Sequence, residues 1–184
     1  MLWEYIPLER NPMELIRIKG STKRQKYIVA ITPEQFRQIV DLLPEPYNLM
    51  VMLCGYLGLR VSETLALKWS DFNWESGTVS IQRAFTHGQL QEATKSDTSG
   101  ADLPVYPGLA EALQRWQARQ QHDFAFVFAN PRTASPYSDS TILTNYLKPA
   151  ARQIGLERIG WHTFRHSYKS WLSSAKATGS EPSN

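Results

Sequence analysis

Read for the spacing of its apolar and polar positions, the chain divides into helical stretches interrupted by a short region of strand periodicity. Thr32-Pro33-Glu34-Gln35 opens the first helix with a capping threonine, a proline in the first turn and a glutamine at the reciprocal capping-box position. That helix is expected to run to about Leu43, before Pro44 and Pro46. Tyr47 to Leu57 is apolar on nearly every face, which predicts a buried helix closed by Gly58. A third helix begins after Arg60 and carries Val61, Leu65 and Leu67. Thr78-Val79-Ser80-Ile81-Gln82 has the alternation of a strand, and Tyr27 to Ile31 and Asp102 to Tyr106 offer two more. Thr86-His87-Gly88-Gln89 and Asp97-Thr98-Ser99-Gly100 are turn-rich. Pro107 to Gln120 reads as an amphipathic helix, Phe126 to Phe128 as a short extended segment and Ser138 to Ile154 as another helix. A last helix starts near Trp161, where Trp161, Phe164, Tyr168, Trp171 and Leu172 make one apolar stripe. The fold class this predicts is mixed α/β (α+β), mainly helical, with a small antiparallel sheet among the helices.

Composition adds bounds to this picture. The 184 residues, 42% of them hydrophobic and 11% aromatic, suffice for one globular core. A net charge of +3 is compatible with nucleic acid without requiring it. The distribution is more informative: Arg17, Lys19, Lys23, Arg24 and Lys26 share one stretch with no acid between Glu14 and Glu34. That stretch is either a solvated linker or an arm that tracks a DNA backbone. Cys54 is the single cysteine, so disulfides within the chain and thiolate metal clusters are excluded. No stretch is long and apolar enough to span a bilayer, and Met1 to Arg10 lacks a secretory pattern, so no membrane association and a cytoplasmic location are expected.

The candidate chemistry lies in two places. In the last helix His162, Arg165, His166 and Lys169 flank the apolar stripe, and His162 and Arg165, three apart, are surface neighbours. Taken alone this is a solvated basic face or an anion site at the edge of a core. Arg60 shifts the balance toward the second. It follows Gly55-Tyr56-Leu57-Gly58, and Glu63, three residues on, can hold its guanidinium or cap the next helix. A guanidinium suits phosphate because its planar fork donates two parallel hydrogen bonds. His162 and His166 also have a metal-compatible spacing. However, no carboxylate stands beside the first, and Arg165 between them repels a cation, so a metal is not expected.

These residues carry a resemblance. Gly58-Leu59-Arg60-Val61-Ser62-Glu63, followed by Leu65-Ala66-Leu67-Lys68-Trp69-Ser70-Asp71-Phe72, resembles the first box of the tyrosine recombinases, the phage-integrase family. Thr94-Lys95-Ser96 to Val105 resembles that family's lysine-bearing hairpin, and His162-Thr163-Phe164-Arg165-His166 its second box. The three occur in family order, and the resemblance spans roughly Thr32 to Leu172. It implies an integrase-like catalytic domain over 32–172. Residues 1–13 would be the end of the preceding core-binding domain, 14–31 a basic linker and 173–184 a polar, disordered tail.

It also implies roles. Arg60 and Arg165 would clamp a DNA phosphate, Lys95 would protonate the departing 5′ oxygen and His162 would act as general acid/base or phosphate donor. Glu63 would support them, and Arg17, Lys19, Lys23, Arg24, Lys26, His166 and Lys169 would contact DNA. The family's third box and nucleophilic tyrosine have no counterpart after Leu172; Tyr168 lies on the apolar stripe, and Tyr137 and Tyr146 precede the second box. The expectation is a DNA-binding catalytic-domain fragment truncated before its nucleophile, whose partners are double-stranded DNA and an intact recombinase protomer. Two alternatives stay open: an active recombinase using a substitute or partner-donated tyrosine, and an inert folded remnant.

Overall fold

The computed structural model describes residues 30–92, 102–120 and 123–178. Helix α1, Pro33–Leu42, starts at the capping box expected from its sequence: the Thr32 hydroxyl accepts from the Gln35 amide at 3.2 Å, and Gln35 Oε1 accepts from the Thr32 amide at 3.0 Å. Helix α2, Tyr47–Tyr56, buries Leu49, Met50, Val51, Leu53 and Cys54, as its all-round apolar character requires. Helix α3, Val61–Leu65, is shorter than expected. Leu67 lies beyond it because its carbonyl accepts instead from the Val127 amide at 2.9 Å. A 3-10 turn, Trp69–Asp71, leads into the strands.

Two small sheets stand where one was expected. Strands β1 (Phe72–Asn73), β2 (Thr78–Ser80) and β5 (Asp102–Pro104) form an antiparallel sheet in the order β1-β2-β5, with Val79 opposite both Phe72 and Leu103. Strands β3 (Arg83–Thr86) and β4 (Gln89–Glu92) form a separate hairpin. Its two tip residues, His87 and Gly88, have φ of 52° and 77°, the primed geometry that matches strand twist.

Helix α4, Pro107–Arg119, is followed by an extended crossing in which Phe126 bridges Lys68. The helix expected from Ser138 is a continuous run of three pieces: α5 (Asp139–Ile142), a π-helical turn (Leu143–Leu147) and α6 (Lys148–Gln153). Pro149 accounts for the wide turn, since it lacks an amide and its ring crowds the preceding turn.

Helix α7 runs from Trp161 to Thr178, through the first residues of the segment expected to be a disordered tail. The Ser173 and Ser174 hydroxyls donate to the carbonyls of Lys169 and Ser170 at 2.9 and 3.1 Å, so these small polar residues are satisfied inside the helix. The stripe along α7 stops at Trp171, because Leu172 is exposed. Residues 1–29, with the expected core-binding remnant, most of the linker and most of the Tyr27–Ile31 strand, lie outside the described residues, as does the end of the tail. Ile31 itself is buried but not in a strand.

The core gathers on α2. Phe36 of α1 meets Phe164 and Trp171 of α7 edge-on, with ring centroids 6.0 and 5.5 Å apart. Helices α1, α3, α4 and α7 all pack on α2, which fixes both its C-terminal end and the first turns of α7. Among the described residues no helix is long and apolar enough to cross a membrane.

Candidate active site

The site is built where α2 ends. Leu57 closes that helix and Gly58 follows with φ of +67°, a conformation costly for any residue with a Cβ. A Cβ there would also lie 2.5 Å from Cδ1 of Tyr168, so the α7 aromatic ring rests directly on the glycine. The left-handed turn brings α7 and the α2–α3 connection together at this point. Arg165 Nη1 donates to the Gly58 carbonyl at 2.6 Å.

Arg60, two residues on, is held by Glu63. One carboxylate oxygen accepts from the Arg60 amide at 2.8 Å and the other from its Nη1 at 2.6 Å. The Glu63 side chain is 6% exposed and that of Arg60 is 40% exposed, so the carboxylate is buried while the arginine side chain is partly exposed. The two boxes, about a hundred residues apart in sequence, thus bring Arg60 and Arg165 onto one turn.

Beneath them Thr64 Oγ1 donates to the Arg60 carbonyl at 3.2 Å and lies 3.4 Å from Cys54 Sγ, both residues being fully buried. Burial pushes the Cys54 thiol up to about 12, outweighing smaller influences from Thr64, Glu63 and Arg165. Cys54 is therefore a neutral packing residue, as its apolar neighbourhood in sequence suggested.

His162 is exposed in the first turn of α7, on the same helix as Arg165. The beginnings of α5 and α7 are joined, since the Trp161 indole donates to the Asp139 carbonyl at 3.0 Å. The first turn of α3, the start of α5 and the start of α7 thus lie in one neighbourhood. A groove of about 440 Å3 opens alongside, between Val61-Ser62, the β3–β4 tip and Pro136 to Ser140.

His166 is partly buried, with its ring 6.5 Å from that of His162, and Lys169 is exposed. Among the described residues no group of three or more His, Cys, Asp or Glu is placed to hold a metal ion. Lys95, Arg17, Lys19, Lys23, Arg24 and Lys26 lie outside the described residues. Tyr168 is engaged on Gly58, while Tyr137 and Tyr146 pack around Tyr47, their rings 5.8 and 4.1 Å from its own. Burial raises the phenols of Tyr47 and Tyr137, helped in Tyr47 by a hydrogen bond with Tyr146.

Three supporting groups escaped the sequence reading. The Gly58 carbonyl is one, because a backbone acceptor leaves no residue-type signal. Arg83 is another: its Nη1 lies 2.8 and 2.7 Å from the two oxygens of buried Asp71, whose Oδ2 also accepts from the Lys68 amide at 2.8 Å. The third is Ser167, fully buried on α7. The Leu67-Lys68-Trp69-Ser70-Asp71 extension is therefore scaffolding, with the Trp69 indole donating to Gln120 Oε1 at 3.1 Å.

The comparisons with known proteins agree with this geometry. The family model described as "Phage integrase family" matches residues 29–179, most of the chain. The chain is 25% identical to the ICEBs1 integrase of Bacillus subtilis, covering 90% of this chain and 48% of that protein. It is 25% identical to the tyrosine recombinase XerA of Pyrococcus furiosus, covering 89% and 54% respectively. It therefore spans about half the length of these curated relatives. Among solved structures, the Tn1549 transposon integrase in complex with transposon right end DNA superposes with a TM-score of 0.70 at 18% identity, covering 92% of this chain and 59% of that one. A crystal structure of XerA recombinase gives 0.61 at 17% identity, with the same coverages. Helices and small antiparallel sheets are arranged here as in those catalytic domains, and the chain belongs to the phage integrase family of tyrosine recombinases.

Proposed function

We propose that this chain is the DNA-binding, catalytic-domain portion of a site-specific tyrosine recombinase, gripping one phosphodiester of double-stranded DNA between Arg60 and Arg165. The observation that carries this reading is the meeting of the two boxes at Gly58, where Arg165 donates to the glycine carbonyl and Arg60 is held by Glu63. Attack of a tyrosine oxygen on phosphorus forms the phosphotyrosyl bond and breaks the bond to the 5′ oxygen. Negative charge then accumulates on the non-bridging oxygens, and cations already in place stabilise it without reorganising. Glu63 keeps Arg60 oriented, and His162 supplies a hydrogen bond or a proton to the same phosphate. Lys95 delivers the proton that the departing 5′ oxygen needs, and no cofactor is consumed because the bond energy is retained in the phosphotyrosyl link. The basic stretch from Arg17 to Lys26, with His166 and Lys169, contributes contacts to the DNA backbone. Action on DNA accords with a cytoplasmic location. The attacking tyrosine is not assigned to a residue of this chain, and an intact recombinase protomer is the partner that could supply it.

The test is binding of a labelled duplex as salt is varied, alongside covalent trapping on nicked DNA read on a denaturing gel. Affinity should fall steeply with salt, and Arg60→Ala or Arg165→Ala should each flatten the slope by about 0.9. The chain alone should give no covalent adduct. An adduct lost on Arg165→Ala and mapped to a tyrosine of this chain would establish the active-recombinase alternative. Binding that is absent, or indifferent to both arginines, would overturn the proposal in favour of an inert fold.

A further inference from the structure

Ile31 is attached to α7 through both of its backbone polar groups. Its amide donates to the Ser167 hydroxyl at 2.9 Å, and its carbonyl accepts from the Trp171 indole at 3.0 Å. Ser167 and Trp171 are four apart on α7 and so share a face, which here is the face turned to Ile31. Ser167 passes the contact on: its hydroxyl donates to the Thr163 carbonyl at 2.8 Å. The result is a chain of two hydrogen bonds from the Ile31 peptide into the first turns of α7, closed off from water, with Ser167 fully buried and Ile31 3% exposed.

Arg165 sits between Thr163 and Ser167, and its guanidinium reaches the Gly58 carbonyl on the other side of the helix. At about 100° per residue, Ser167 and Arg165 lie roughly 160° apart around α7. One turn of helix is therefore held from opposite sides, by Ile31 at Ser167 and by Gly58 at Arg165. A helix pinned on one side only can rotate or slide, which would carry the guanidinium off its carbonyl. Moreover, Ile31 immediately precedes the Thr32 cap of α1, so the segment arriving from the basic stretch is secured to the helix that bears Arg165.

We infer that Ser167 and Trp171 are positioning residues for Arg165: by clipping the Ile31 peptide to α7 they set the rotation of the helix that presents this guanidinium to phosphate. This rests on the phosphate-clamp reading above.

The test is a double-mutant cycle on the full chain, read as affinity and salt slope for a labelled duplex of about 30 base pairs. Ser167→Ala should weaken binding roughly threefold to tenfold and flatten the slope as Arg165→Ala does. In the Arg165→Ala background, Ser167→Ala should have no further effect, because the residue through which it acts is gone. Trp171→Phe removes only the indole donor and keeps a ring against Phe36, 5.5 Å away in the native chain. It should behave like Ser167→Ala and serves in its place if that variant does not fold. Thermal melting of each variant shows the folded fraction. An effect that persists undiminished in the Arg165→Ala background, or its absence when Arg165→Ala alone weakens binding, overturns the positioning role. If Arg165→Ala itself changes nothing, the clamp reading fails first and the inference falls with it.

Discussion

Arg165 and Gly58, 107 positions apart in sequence, meet through a 2.6 Å hydrogen bond from guanidinium to carbonyl. The carbonyl is available because α2 ends in a left-handed turn, and the approach is possible because Gly58 carries no Cβ where the Tyr168 ring lies. A backbone acceptor orients the guanidinium without neutralising it, and this distinguishes Arg165 from Arg60, which faces a carboxylate.

Gly58→Ala should therefore be costly on two counts, the left-handed backbone and the displaced Tyr168 ring. Destabilisation of at least about 2 kcal/mol is expected, measured by urea denaturation. Duplex affinity should fall further than the folded fraction alone explains, whereas Tyr168→Ala combined with Gly58→Ala should recover the steric part only.

Arg60→Lys separates charge from shape. Lysine keeps the positive charge but cannot form the planar fork, so the salt slope of duplex binding should stay near that of the native chain while affinity drops about tenfold. Arg37→Ala is the control. That residue is exposed and ion-paired with Glu34 on α1, and its removal should leave stability within about 0.5 kcal/mol.

Asp71→Ala leaves Arg83 in a mostly buried position without its carboxylate, whose side chain is 3% exposed. Loss of about 3 kcal/mol in chemical denaturation is expected. Because Asp71 also accepts from the Lys68 amide, Asp71→Asn should restore only part of the loss.

Cys54 gives a pH signature of the fold. Its thiol is raised in the native state to about 12 from an ordinary value of 9.0, so the unfolded chain releases the proton first as pH climbs. Stability is complete below pH 9 and is lost as pH rises from there toward 12, by up to about 1.4 kcal/mol per pH unit. Burial raises the Tyr47 phenol as well, so the readout is the native chain minus Cys54→Ala across pH 8 to 11. A flat difference contradicts the burial argument.

Much of this architecture is legible in the residues themselves because the signals are local. The Thr32 to Gln35 capping box, the apolar run of α2 and the proline starting α4 each determine their own conformation within a turn or two. The arginines were legible as types at a spacing, and Glu63 as the residue within reach of Arg60. Less legible were features set by distant partners. Leu67 leaves α3 because Val127 takes its carbonyl, and β3 is tied to Asp71 through Arg83. The polar composition after Leu172 suggested an end of order, yet Ser173 and Ser174 bond back to their own helix and α7 continues to Thr178. Small polar residues end helices only when their side chains find a better partner outside.

The Glu63 carboxylate also bears on selectivity among anions. It is already paired with the amide and guanidinium of Arg60, so a small free ion such as inorganic phosphate must compete with a resident negative charge. A phosphodiester carried on a long duplex is brought to the same spot by contacts made elsewhere along the backbone, and its local concentration offsets that competition. On the phosphate-clamp reading, weak capture of solitary anions and strong retention of tethered ones would follow from this one buried acid.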